Sequence, residues 1–353
     1  MIIKNATLKE HAKGWGIFVC VYGIVYAITL FMARFVDASW DIQTLLFLNP
    51  DSYIPVLDEM IILQTDFATY FFVMLLLAWQ IGYYCIRNRK PQAALRTRKV
   101  FYILGAVFFV WHALGVFIQD KSIFWWETHE YNIIFLFLGI AFAIGFAIAG
   151  NLYVRLNAED QRKLAHAFWL TLLAVFFVNV LGEDIVKDTV QRHRPLHETY
   201  QAWNGQIRPM QDEIVKGSYS YFSGHTSSFW ALTMIYFWLF KSWKVRIGLV
   251  LWAAFHGFTR IYTAAHFPYC VIMATFFAVP ITSTIYYCLW NHRQIQVIAP
   301  LLLTSSLFML AKSPTVPSII LAIIVVRFAI HWFLTRNKPA KPLMTNASID
   351  LSH

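Results

Sequence analysis

The sequence predicts an all-α protein, a polytopic membrane helical bundle of about ten spans. Three observations predict it. Only 14% of the 353 residues are charged, whereas a soluble domain carries about 25%. Hydrophobic residues make up 58% of the chain and aromatic residues 18%, and they gather into runs of about 20 residues, the length needed to cross a bilayer. The lysines and arginines between those runs fall mainly on one side of the implied membrane.

Taken in order, the first apolar run covers 14–34. It is long enough to span, and no small-residue cleavage site follows it, so it is expected to stay in the protein. Further runs cover 60–86, 99–118, 132–153, 164–186, 224–241, 245–262, 267–290, 295–311 and 316–335. The ninth is short, and only a few residues around Ser313-Pro314-Thr315-Val316-Pro317 join it to the tenth, which predicts a tight hairpin. The tail after Arg336 is polar, carries Pro339 and Pro342, and is expected to be mobile. The segment 37–59 holds Asp41, Asp51, Asp58 and Glu59 and reads as a short surface helix or loop without chemistry of its own. Of the four cysteines, Cys20, Cys85 and Cys288 read as small buried hydrophobes. The fourth, Cys270, belongs to the polar clusters described below.

Charge orients the bundle. With ten spans, the N-terminus, the even-numbered loops and the C-terminus share one side, and most of the 29 lysines and arginines lie there. The positive-inside rule puts that side in the cytoplasm. The net charge of +10 then follows from loops that meet anionic headgroups, and no nucleic-acid partner is needed to explain it.

Three polar islands interrupt the apolar runs on the opposite side. The first is Lys187-Asp188-Thr189-Val190-Gln191-Arg192-His193-Arg194-Pro195. Lys187 and Arg194 are seven residues apart, close to two helical turns, so both can project from one face of an extended fifth span. Pro195 disfavours helix at Arg194 and turns the chain. The second island, Ser223-Gly224-His225, opens the sixth span. Ser223 is a good N-cap, the first N–H groups of a helix lack intrahelical partners, and the dipole favours an anion. Gly224 lets a ligand approach the backbone closely. The third island, Arg260-Ile261-Tyr262-Thr263-Ala264-Ala265-His266, joins the seventh and eighth spans. Cys270 follows His266 by four residues, on the same face if that turn is helical. Each island alone also fits a plain reading: a snorkelling cation, a capped helix start, a surface histidine. Together, three cations at one membrane face call for an anion. Glu183, Asp184 and Asp188 could pair with Lys187 in a structural network, and a phosphate would satisfy Lys187, Arg194 and Arg260. A metal site is disfavoured, because His193, His197 and His256 lack tight ligand spacing.

The order Lys-x6-Arg-Pro, Ser-Gly-His, Arg-x5-His resembles the three-part signature of the phosphatidic acid phosphatase type 2 superfamily. The resemblance covers about residues 99–290. It implies a six-helix phosphatase core there, accessory spans over 1–98, an accessory helical hairpin over 291–336 and the mobile tail over 337–353. It implies that His266 attacks phosphorus to form a phosphohistidine, and that His225 protonates the leaving oxygen and later activates water. Lys187, Arg194, Arg260, Ser223 and Gly224 would hold the phosphoryl oxygens, with no metal and no cofactor. The chain departs from the pattern at Phe222, at Thr259 and, most consequentially, at Cys270, where the family usually carries an Asp that orients the nucleophile. Three explanations stand for this departure: another carboxylate takes over the task, with Glu183, Asp184 and Asp188 the first to test; the chain is an engineered or naturally weakened variant; or it binds phosphorylated lipid without turning it over.

The function expected from these residues is an integral-membrane lipid phosphatase of a bacterial inner membrane, with its site facing the periplasm. Candidate substrates are a lipid A phosphate, an isoprenyl pyrophosphate or a phosphatidylglycerol phosphate. The long loop 196–221 is expected to help form the headgroup pocket. The partners implied are the phosphorylated lipid and the surrounding membrane lipids. Two alternatives stand beside this: a phosphotransferase that passes the phosphoryl group to another lipid, and a lipid-binding or transport protein weakened by Cys270. Asp66, and Arg327 with His331 one turn on, are intramembrane polar residues that would line a pathway or pair across helices.

Overall fold

A computed structural model describes residues 8–87, 92–118, 133–210, 219–292, 295–296 and 298–302. Most of the ninth expected span, all of the tenth, the tail, and Arg327 with His331 lie outside the described residues, as does the side chain of Asp66. Among the described residues every regular element is helical. In order they are α1 (Leu8–Met32), α2 (Ser39–Leu48), α3 (Leu57–Arg87), α4 (Gln92–Ile118), α5 (Ile133–Arg155), α6 (Ala158–Val175), a π-helical stretch (Phe176–Glu183) and α7 (Asp184–Val190). The short α8 (Gln201–Asn204) follows, then α9 (Gly224–Leu239), α10 (Trp243–Tyr262) and α11 (Pro268–Leu289).

Three helical stretches are long and apolar enough to cross a membrane: Lys9–Phe35, Ala158–Val190 and Pro268–Leu289. They mark the chain as a membrane protein. The count of ten expected spans is not reproduced among the described residues. The physical reason is plain for α9, whose 16 residues reach only ~24 Å at the helical rise, short of a bilayer core. In α10, Lys244, Arg246, His256 and Arg260 dilute the apolar run. Cys20 is exposed on α1, where a buried hydrophobe was expected. It shares that outward surface with Ile17, Ile24, Ile28 and Phe31, all exposed, as a face turned to lipid would be.

Local chemistry sets the helix ends near the polar islands. Asn157 caps α6, its side-chain oxygen accepting the Asp160 N–H at 2.9 Å. Ser223 caps α9, accepting the Thr226 N–H at 3.4 Å and the Thr226 hydroxyl at 2.9 Å. Pro268 occupies the first turn of α11, where its missing N–H costs nothing. Gln191 ends α7 in the left-handed region, φ 53°, with its N–H on the Lys187 carbonyl at 2.8 Å. The chain therefore leaves the helix three residues before Arg194. Lys187 is helical and Arg194 is not, so the expected shared helical face does not form.

Helices α6, α9, α10 and α11 make the bundle that carries the three islands. Helix α1 lies along α11, and α3 packs on α6 and α10, while α4 and α5 pair with each other and lean on α3. Aromatic rings fill both seams. Phe18, Tyr22, Phe177 and Phe277 interlock between α1, the π stretch and α11. Phe72, Phe229 and Trp252 do so between α3, α9 and α10. The segment 37–59 is the short helix α2 with its flanking turns, exposed over much of its length as expected, but its carboxylates are anchored inward. Asp41 and Leu45, one turn apart on α2, are buried, as are Asp58 and Glu59 at the start of α3. Arg208 grips Asp58 through two bonds of 2.6 and 3.1 Å. Asn49 bonds the Arg208 backbone and the Tyr262 carbonyl. The loop 196–221 and the N-terminal segment are thereby tied to the end of α10.

Candidate active site

The turn between α10 and α11 builds the centre of the site. The Ala264 backbone takes φ 53°, which lets the His266 N–H fold back onto the Arg260 carbonyl at 3.0 Å. Arg194 reaches the same turn, donating from Nη1 to the Ala265 carbonyl at 3.3 Å. The N-cap of α9 is joined to α11 by the Ser223 N–H on the Cys270 carbonyl at 3.2 Å. The fold thus brings Arg194, Ser223, Gly224, Arg260, His266 and Cys270 to one end of the bundle. Arg194, Arg260 and His266 are all buried. His225, the second residue of α9, is exposed and so opens onto accessible space.

Among the described residues His266 is held at one nitrogen only. Its Nδ1 lies 2.8 Å from the Ser220 carbonyl. A carbonyl can only accept, so Nδ1 carries the proton and Nε2 carries the lone pair. Nε2 is buried and has no hydrogen-bond partner among the described residues. Burial first, and then the charges of Arg194, Lys187 and Arg260, push this imidazole well below its ordinary pKa. A histidine shifted in that direction is neutral at pH 7. Burial also pulls the Arg194 guanidinium below its ordinary value, against the opposing pull of the Glu183 carboxylate.

Cys270 does not touch the imidazole in the way its spacing predicts. Helix α11 starts at Pro268, so His266 precedes the helix and the two residues share no helical turn. Ser220 stands between them, its Oγ 3.3 Å from His266 Nδ1 and 3.3 Å from Cys270 Sγ. Nor do Glu183, Asp184 or Asp188 bond Nδ1. That place belongs to a backbone carbonyl.

Glu183 sits elsewhere. It ends the π stretch, one turn before Lys187, and the two form an ion pair. Its carboxylate lies directly against Gly224, so that a Cβ at Gly224 would overlap it. The first turn of α9, Lys187 and the Arg194 charge therefore surround an internal carboxylate, in the seat that the sequence assigns to phosphate. The π stretch explains this position, since its wider turn shifts Glu183 relative to α-helical spacing.

The sequence alone assigns no role to Arg192, Ser220 or Asp41. Arg192 is buried, with Nε 3.0 Å from Asp37 Oδ1, Nη2 2.7 Å from Asp41 Oδ2 and Nη1 3.2 Å from Cys270 Sγ. Its guanidinium lies over the Phe267 ring at 3.8 Å. Tyr200 and Trp203 of the loop 196–221 pack on that same ring. The signal for Asp41 was its helical spacing from Leu45, which put a carboxylate on an apolar face. Among the described residues no group of three or more His, Cys, Asp or Glu side chains could hold a metal ion.

Residues 163–294 match the PAP2 superfamily. This is the superfamily that the three islands resemble, and the match takes in all of them. It leaves α1 to α5 outside, including the 99–162 stretch that the resemblance places in the core. No curated protein and no solved structure matches the chain. Members of the PAP2 superfamily are phosphatases, which supports a phosphoric ester hydrolase in general terms and a membrane setting for it.

Proposed function

We propose that the chain is a metal-independent phosphatase that removes phosphate from a lipid phosphate or pyrophosphate through a phosphohistidine on His266. One observation carries the reading: a buried imidazole, its pKa pushed down chiefly by burial, has Nδ1–H fixed on the Ser220 carbonyl, and its Nε2, beside three cations, has no partner among the described residues. A neutral imidazole is a competent nucleophile, and positioned cations stabilise charge on the equatorial oxygens of phosphorus. In the first step Nε2 bonds phosphorus, the bond to the leaving oxygen breaks, and His225 gives that oxygen its proton, held in the substrate complex by the bound phosphate anion, which offsets the cations that push His225 toward neutrality. In the second, His225 takes a proton from water, the hydroxide bonds phosphorus, and the N–P bond breaks to release phosphate. Lys187, Arg194, Arg260 and the first N–H groups of α9, opened by Ser223 and Gly224, hold the phosphoryl oxygens. Cys270 supports Ser220 and takes no direct part. The bias of basic residues toward the opposite loops supports a site on the periplasmic face of a bacterial inner membrane.

Purified protein incubated with a panel of lipid phosphates in EDTA is expected to release inorganic phosphate. The panel holds a lipid A phosphate, an isoprenyl pyrophosphate and a phosphatidylglycerol phosphate. Release that stops with the chelator and returns with magnesium or zinc would overturn the metal-free step. No release from any of them would overturn the reading.

Glu183 supplies a further expected result. Its carboxylate and a bound phosphate would compete for the same helix N-terminus. Glu183→Gln removes the internal charge and should tighten inhibition by inorganic phosphate about ten-fold, or ~1.4 kcal/mol. Weaker inhibition in the variant would mean that Glu183 serves chiefly to hold Lys187 in position.

A further inference from the structure

The N-terminal segment lies outside the matched stretch, yet it enters the network around His266. Helix α2 carries Asp41 into the interior, and its side chain is 1% exposed. Oδ1 accepts the Tyr269 N–H at 2.8 Å, in the first turn of α11. Oδ2 accepts from Arg192 Nη2 at 2.7 Å, and the Arg192 side chain is itself 1% exposed. All three nitrogens of that guanidinium are engaged, by Asp37, Asp41 and Cys270. The Arg192 guanidinium is thus committed to the scaffold. The scaffold contact that matters is at its backbone. The Arg192 carbonyl accepts the Ser220 N–H at 2.7 Å, and the Ser220 carbonyl accepts Nδ1–H of His266 at 2.8 Å. The bonds run without a break from a carboxylate on α2 to the imidazole.

We propose that Asp41 is a positioning residue for His266, acting through Arg192 and Ser220 to fix the imidazole with Nε2 directed at phosphorus. The proposal rests on the phosphatase reading given above. Two effects follow from the geometry. A fixed Ser220 carbonyl selects the tautomer in which Nε2 keeps its lone pair. A carboxylate on Arg192 also cancels a fourth cation near a ring that becomes positive as the N–P bond forms. Asp37 is a weaker partner for the same guanidinium, since its side chain is 50% exposed. The N-terminal segment is on this account part of the reacting machinery, and not an accessory to it.

The experiment compares the parent chain with Asp41→Asn, Cys270→Asp and the double variant, all full length and purified. Asp41→Asn should slow single-turnover phosphate cleavage by about ten- to a hundred-fold, the scale of losing an outer partner that orients a reactive side chain. Inhibition by inorganic phosphate should stay within about two-fold, because Lys187, Arg194 and Arg260 are untouched. Cys270 Sγ is 3.2 Å from Arg192 Nη1, so a carboxylate there restores the missing charge from the other side. Cys270→Asp should therefore recover most of the rate in the Asp41→Asn background and change the parent far less. An unchanged rate in Asp41→Asn would overturn the proposal. So would a parallel loss of rate and phosphate affinity that Cys270→Asp does not repair, which marks Asp41 as fold support only. If the parent itself cleaves no phosphate ester, the phosphatase reading fails first. The positioning claim then rests on ¹⁵N-histidine spectra: the His266 signal, assigned by its loss in His266→Gln, should show one tautomer in the parent and a mixture in Asp41→Asn. A single unchanged tautomer would overturn it.

Discussion

Asparagine in place of His266 is expected to lower kcat/KM for phosphate release by about 10⁴-fold or more, the scale of removing a nucleophile. Asparagine keeps an N–H able to reach the Ser220 carbonyl, so the turn between α10 and α11 should survive. What it lacks is the Nε2 lone pair. The three cations and the first turn of α9 remain, so inorganic phosphate should still inhibit with near-parent affinity. The loss belongs in the rate of the first chemical step, read in a single turnover. A variant that keeps a tenth of the parent rate would mean that water attacks phosphorus directly and that His266 only helps to bind.

Gly224→Ala is expected to cost about 10²-fold in kcat/KM, comparable to removing one oxyanion donor. The added methyl would stand where the Glu183 carboxylate now rests. Glu183 ends in a flexible side chain and can swing aside, so the melting temperature should change little. A phosphate has no such freedom, because it must lie on the backbone N–H groups to use them. Affinity for inorganic phosphate should fall together with turnover. Unchanged affinity would show that phosphate does not use the N-terminus of α9.

The polar islands are legible in the sequence because each lies where an apolar run breaks, and because membrane helices make such breaks rare. Helices α9, α10 and α11 follow from Ser223, Pro268 and the runs between them. Three features are not legible, each for a different physical reason. Ser220 acts on His266 through a backbone carbonyl, which every residue type possesses, so no residue identity reports it. Asp41 bonds Tyr269 across 228 positions of sequence, and its burial depends on how α2 packs over the α10–α11 turn. The position of Glu183 depends on a π-helical stretch, whose wider turn a 3.6-residue period does not anticipate. The same limit accounts for Cys270. Four residues after His266 implied a shared helical face, but the helix begins only at Pro268, and Ser220 fills the gap. The count of ten spans is not confirmed among the described residues for another reason: α10 carries Arg246 and His256 within its apolar run and is not one of the three stretches apolar enough to cross on composition.

The central claim is that His266 becomes covalently bonded to phosphorus, and rapid acid-free quenching tests it most directly. The protein is mixed with a ³²P-labelled lipid phosphate in EDTA, stopped in alkali during the first turnover, and digested for mass mapping. The account predicts an alkali-stable, acid-labile phosphoryl group on the peptide containing His266, absent from His266→Asn and from protein without substrate. Phosphate released at the full parent rate with no label on the protein, or with the label on any other residue, would contradict it.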